Sequence, residues 1–274
     1  MTQRTGTAGT IRWVASTAAA VLAATALAGC AGTDGAGGSA APAPSPSVSP
    51  KSALLAAVPD EKDPAFRFSG SDLTGKVSGM VDPAAGGMEL TVAEKVAELK
   101  STMSLSFRVI GQQAWMRVTF DGKQDINALL KLPKRWMALD NAKIEDPADA
   151  PVYEGTDPGN TATIIRTAET VEEKGDGTYV GTVDLTKGQD VATAMEGLDI
   201  AALGDAAKQV PFTAVVGADG NLTSLTLDIP AAGKQKASKY VVRYFDFGKA
   251  PKLAAPTGSD VQKAPATAYE LLNS

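Results

Sequence analysis

Residues 76–92, KVSGMVDPAAGGMELTV, decide the fold. Val77, Gly79 and Val81 alternate with Lys76, Ser78 and Met80, and Met88, Leu90 and Val92 alternate with Glu89 and Thr91. A period of two sends successive side chains to opposite faces of a strand. Between the runs, Asp82-Pro83-Ala84-Ala85-Gly86-Gly87 supplies turn chemistry. The stretch therefore predicts two antiparallel strands with one apolar and one wet face.

The same period extends in both directions. Upstream, Phe66 and Phe68 alternate with Arg67 and Ser69; downstream, Leu105, Phe107 and Val109 cross Gly111-Gln112-Gln113 and return through Ala114, Met116, Val118 and Phe120. A short helix is expected from Ser52, carrying Leu54, Leu55 and Val58. Leu129–Leu132 reads as a short helix or turn, Trp136–Leu139 as a strand, and Asp140–Gly159, with Pro147, Pro151 and Pro158, as a long irregular connection. Asn160 or Thr161 is expected to cap a helix through Ile164, Ile165, Ala168 and Val171 that ends at Gly175-Asp176-Gly177. Strand Tyr179–Leu185 follows, then a helical stretch over Gly188–Gln209 with Val191, Met195, Leu198 and Leu203, broken near Gly197. Pro211–Val216 and Leu222–Ile229 read as a hairpin, and Lys239–Phe247 as a final strand before a Pro-containing tail. This order predicts an α+β fold: a curved antiparallel sheet with its helices gathered on one face.

Composition removes whole classes of chemistry. Among 274 residues there are 26 basic and 31 acidic side chains, a net charge of −5, which offers no electrostatic footprint for nucleic acid. Histidine is absent and Cys30 is the single cysteine. Ser-His-Asp and Cys-His catalysis, histidine metal sites, multi-thiolate zinc sites and intramolecular disulfides are thereby excluded. Gly-x-Ser-x-Gly, Ser-x-x-Lys, Walker and Gly-x-Gly-x-x-Gly motifs do not occur. The acidic run Glu145, Asp146, Asp149, Glu154 and Asp157 lacks the spacing of a calcium loop and reads as a solvated connection. Lys131, Lys134 and Arg135 beside Trp136 read either as a solvated turn or as a contact for anionic headgroups. No enzyme, cofactor or metal is expected.

The first 50 residues carry an address. Arg4 and Arg12 precede an acid-free apolar run, Trp13 to Leu27, that ends in Leu27-Ala28-Gly29-Cys30. This is a secretory layout, and its run is too short and Ala-rich for a membrane-spanning helix. Residues 1–29 are expected to be removed as a signal peptide. Residues 31–50, AGTDGAGGSAAPAPSPSVSP, are almost all Gly, Ala, Ser and Pro, so 30–50 reads as an anchor residue and a tether. At about 3.1 Å per residue the tether spans up to roughly 60 Å. Residues 51–264 are expected to form one domain, followed by a tail over 265–274.

Phe66-Arg67-Phe68, Phe107-Arg108-Val109, Trp115-Met116-Arg117, Trp136-Met137-Ala138-Leu139-Asp140, Val210-Pro211-Phe212, Asp219-Gly220-Asn221-Leu222 and Tyr244-Phe245-Asp246-Phe247-Gly248 follow one another in a familiar order. The chain resembles the actinobacterial LppX, LprA, LprF and LprG lipoproteins and, more distantly, the LolA and LolB carriers. Leu27-Ala28-Gly29-Cys30 likewise resembles the bacterial lipobox, which implies acylation of Cys30 and an anchor at the outer face of the cytoplasmic membrane. Several acyl chains, at about 0.8 kcal/mol per buried methylene, hold a protein there. The resemblance implies a strongly curved antiparallel β-sheet (half-barrel) with helices covering the concave face and an apolar cavity for acyl chains. It implies carriage or presentation of lipid or glycolipid, and it carries over no enzymatic residue. The cavity-lining residues expected are Phe66, Phe68, Val77, Met88, Leu90, Leu105, Phe107, Val109, Met116, Val118, Ile164, Ala168, Met195 and Leu198. The partners expected are membrane lipid, through the anchor, and a hydrophobic or acyl ligand. The alternative is an envelope interaction or sensor lipoprotein with a filled core and a protein partner.

Overall fold

The computed structural model describes residues 48–71, 75–122, 124–195, 198–233 and 235–273. The expected signal peptide, Cys30 and the expected tether up to residue 47 lie outside these residues, as does the expected break near Gly197.

The chain is mixed α and β, dominated by one open sheet of twelve strands with few helices. The strands are β1 (Phe66–Ser71), β2 (Lys76–Asp82), β3 (Gly87–Val96), β4 (Ser101–Ile110), β5 (Gln113–Phe120), β6 (Trp136–Ala138), β7 (Ala168–Gly175), β8 (Thr178–Val183), β9 (Val210–Val216), β10 (Leu222–Ile229), β11 (Ser238–Phe245) and β12 (Val261–Lys263). Their spatial order is β12-β6-β5-β4-β3-β2-β1-β11-β10-β9-β8-β7. Every pairing is antiparallel except β12 with β6. Two meanders, β1 to β6 and β7 to β11, thus join at β1–β11.

Helices are short. α1 (Pro50–Ala56) starts two residues before the expected Ser52, because the Ser49 hydroxyl accepts from Ser52 N at 3.2 Å and Pro50 fits the first turn. α2 (Ile126–Leu129) precedes rather than spans Leu129–Leu132. α3 (Thr161–Arg166) is shorter than expected: Thr167 N and Thr167 Oγ1 both donate to Ile164 O, and Ala168 to Gly175 form strand β7 instead of a helix. The expected helix over Gly188–Gln209 is three pieces, α4 (Gln189–Ala194), α5 (Ile200–Leu203) and a 3₁₀ turn, Gly204–Gln209. The Asp199 side chain caps α5 through Ala202 N at 3.0 Å. Gly204, at φ 55°, then turns the chain out of it. The segment expected to be a tail carries α6 (Ala266–Leu272), whose Ala268 is fully buried.

Register puts one row of mainly apolar residues across ten of the twelve strands, β6 to β8. From one edge, Met137 faces Met116, Met116 faces Phe107, Phe107 faces Leu90, Leu90 faces Gly79, and Gly79 faces Phe68. Phe68 faces Tyr244 on β11; two residues along, Val242 faces Leu225, Leu225 faces Ala214, and Ala214 faces Tyr179. Two hydrophobic clusters join residues of this face to residues of the helices. Over β8–β11 and β1, Leu54 of α1, Ile164 and Ile165 of α3, Val191 of α4 and Leu203 of α5 join one core. Over β5 and β6, Leu132 and Ala268 of α6 pack on Met116, Val118 and Met137 in a second core. On the opposite face, residues past β11 run by Asp82, whose Oδ2 accepts from Leu253 N at 2.9 Å, and by Arg108, whose Nη1 donates to Ala254 O at 2.8 Å.

Candidate functional site

Between the two cores lies a strip of the apolar face, on β2, β3 and β4. Val77, Met88 and Val92 pack at the margin of the first core, and Met103, Leu105 and Phe107 at the margin of the second; all six are half-buried. Cross-strand register makes them neighbours, because Val77 faces Val92, Val92 faces Leu105 and Phe107 faces Leu90. Phe120, opposite Met103 on β5, continues the strip.

The loop from Leu139 to Asn160 joins the β6 side of the sheet to α3. It starts against α6, where Asp140 N donates to the Tyr269 hydroxyl at 2.9 Å and Glu145 N to Asn273 Oδ1 at 3.1 Å. It ends against β11, where the Tyr244 hydroxyl donates to Asp157 Oδ1 at 2.5 Å and the Tyr240 hydroxyl donates to Gly159 O at 2.7 Å. Burial, then the Asp157 charge, pushes the Tyr244 phenol well above its ordinary value, so it stays a donor. Tyr153 packs on the first core and donates to the Glu61 carboxylate at 3.2 Å; burial and that charge raise it too. Glu154 has its carboxyl raised to about 7 by burial alone.

The expected lining residues divide by burial. Phe66, Phe68, Leu90, Val109, Met116, Val118, Ile164, Ala168 and Met195 are buried. Val77, Met88, Leu105, Phe107 and Leu198 are half-buried. The ten strand residues among them share one face of β1–β5, and Ile164, Met195 and Leu198 pack on the first core from the helical side. Ala168 belongs to β7, opposite Val183. Val92, Met103 and Phe120 were missing from that set, although their alternation with Thr91, Ser104 and Thr119 marks them in the sequence.

The polar face carries its own cluster. Trp136 lies under two guanidinium groups, with Arg108 4.6 Å and Arg117 4.4 Å from its ring centroid. Arg108 is held in place by donating to the Glu89 carboxylate and to the Ala254 carbonyl. Two open recesses, of about 700 and 510 Å³, flank the β12 edge; neither is lined by the apolar strip. Among the described residues no group of acids or thiols is arranged to hold a metal, and no helix is long and apolar enough to cross a membrane.

No protein-family model matches the chain, and no curated protein matches it significantly.

Proposed function

We propose that this chain is a non-enzymatic, membrane-tethered extracytoplasmic lipoprotein that binds a hydrophobic, acyl-type ligand along the strip between its two cores. One observation carries the reading: Val77, Met88, Val92, Met103, Leu105 and Phe107 stay half-buried on the apolar face of β2–β4, at the margins of the two hydrophobic clusters. Covering such surface contributes about 25 cal/mol per Å², so a long chain is held without specific polar contacts. Four methionines on this face, Met88, Met103, Met116 and Met137, suit a flexible occupant.

In this reading the sheet is a half-barrel, its concave face lined by the strip and closed by helices. Two glycines support the curvature. A Cβ at Gly79 would lie 2.0 Å from Glu89 O, and one at Gly181 1.9 Å from Thr170 O, so both strands approach their neighbours more closely than other residues allow. Glycine kinks of this kind bend sheets. Leu99, Leu129 and Leu130, at 41%, 66% and 44% exposure, follow β3 and β5 at the end of the strip away from Asp82, and suit a mouth through which an acyl chain enters.

Cys30 is the anchor in this account, at the outer face of the cytoplasmic membrane, and residues 31–50 are the tether, whose last residue, Pro50, opens α1. The resemblance to the LppX and LprG group favours lipid or glycolipid transport as the task. A protein partner seated on the strip is the rival.

Titration of residues 31–274, which contain every element described here but not Cys30, with a fluorescent fatty acid tests the reading. Saturable binding is expected, and Leu105→Gln combined with Phe107→Gln abolishes it while the melting transition remains cooperative. Binding that never saturates, or is indifferent to the double change, overturns it in favour of the protein partner.

A further inference from the structure

We infer that the recess on the polar face, between β5, β6 and β12, is a binding site for a phosphate-type oxyanion. It is an open hollow of about 700 Å³ walled by Arg117, Lys134, Arg135, Trp136, Asp260 and Gln262. Three cations face one carboxylate. Met116 and Met137 point to the apolar face, so their neighbours Arg117 and Trp136 point to the other. The inference therefore stands apart from the acyl ligand proposed above.

The two arginines over Trp136 differ in what they are free to do. Arg108 is committed: its Nε donates to Glu89 Oε2 at 2.8 Å, its Nη2 contacts the same oxygen, and its Nη1 donates to Ala254 O. Arg117 has the same indole beneath it and, among the described residues, neither a carboxylate nor a hydrogen-bond acceptor. Arg135 likewise has no ion pair among the described residues, whereas Lys134 meets Asp125 at 3.0 Å.

Stacking fixes the plane of the Arg117 fork before any ligand arrives, which lowers the entropy lost on binding. A planar guanidinium with all its N–H groups unspent matches two oxygens of one oxyanion. Arg135, with no ion pair among the described residues, lines the same recess, as does Lys134, and a tetrahedral group with three or four oxygens can accept from more than one cation. A single peptide carboxylate offers two oxygens and satisfies only one. Phosphate, as a monoester or diester, is the class that fits.

The two indole N–H signals expected from residues 31–274, Trp115 and Trp136, make the site readable by NMR. Titration with inorganic phosphate and then glycerol 3-phosphate, at ionic strength held constant with chloride, is expected to move Trp136 and the Arg117 Nε–H saturably. Arg117→Gln or Arg135→Gln weakens binding about tenfold or more, Arg117→Lys restores part of it, and Arg67→Gln, at a remote exposed pair with Asp246, leaves it unchanged. Phosphatidic acid in phosphatidylcholine vesicles separates the sources. Co-sedimentation lost in Arg117→Gln assigns a lipid headgroup; soluble phosphate binding without co-sedimentation assigns a free or glycan-borne phosphate. Unmoved Trp136 and Arg117 signals in all titrations, or equal binding by the Gln variants, overturns the inference.

Discussion

Leu90 and Phe107 face each other across β3 and β4, yet they belong to different hydrophobic clusters. Leu90 is buried in the larger cluster, whereas Phe107 sits half-buried at the margin of the smaller one. Along the seam between them, Val77, Met88, Val92, Met103, Leu105 and Phe107 stay half-buried.

Truncation on the two sides of the seam separates stability from binding. Met116 is fully buried, so Met116→Ala is expected to cost about 2–5 kcal/mol in chemical denaturation. Phe107→Gln, at a half-buried position, costs less than half as much but removes most fatty-acid binding. Equal losses of stability would mean that the strip is ordinary core.

Gly79 tests the close strand approach. Gly79→Ala is expected to destabilise by about 1–3 kcal/mol, since the added methyl meets Glu89 O at 2.0 Å and the Phe68 ring at 2.7 Å. Phe68→Leu in the same chain does not rescue it, because a backbone oxygen cannot move aside as a ring can. Rescue, seen as a recovered melting temperature, would locate the crowding in Phe68 alone.

The Tyr244–Asp157 hydrogen bond holds the end of the long loop on the sheet. Asp157 also accepts from Thr161 Oγ1 at 2.9 Å and Ala162 N at 2.8 Å, so one carboxylate ties β11 to the start of α3. Tyr244→Phe is expected to cost about 1–3 kcal/mol. A double-mutant cycle with Asp157→Ala measures the pair, and a coupling near zero would show that the loop is held elsewhere.

Glu154 makes stability depend on pH. Its carboxyl is raised from the usual 4.5 to about 7 by burial, so the folded state holds a proton that the unfolded chain releases in that interval. Stability contributed by the neutral acid is present at low pH and falls as pH rises from 4.5 through 7. Glu154→Gln keeps the neutral shape, so its advantage in melting temperature is expected to be larger at pH 8 than at pH 5. A difference that does not vary with pH would contradict this.

Much of this was legible in the sequence, because period-two alternation is local. Val77 to Val92 and Leu105 to Phe120 gave both strand identity and the shared face. What failed was non-local or ambiguous. Ala168 and Val171 fit a helical spacing from Ile164, and β7 is a charged edge strand, almost wholly exposed after Ala168, so it shows no alternation. β12 is three residues, Val261-Gln262-Lys263, whose only reason to be a strand is the distant β6. α6 is only seven residues long, too short to stand alone, and its Ala268 packs in the cluster of Met116 and Met137. The Arg108–Trp136–Arg117 stack joins residues on three strands, and no spacing encodes it.

Native mass spectrometry of residues 31–274 recovered from a bacterial envelope, followed by organic extraction, tests the central claim most directly. The account predicts a discrete adduct that extracts as lipid and is absent when Leu105 and Phe107 are both changed to Gln. A bare polypeptide mass under several gentle conditions would contradict it.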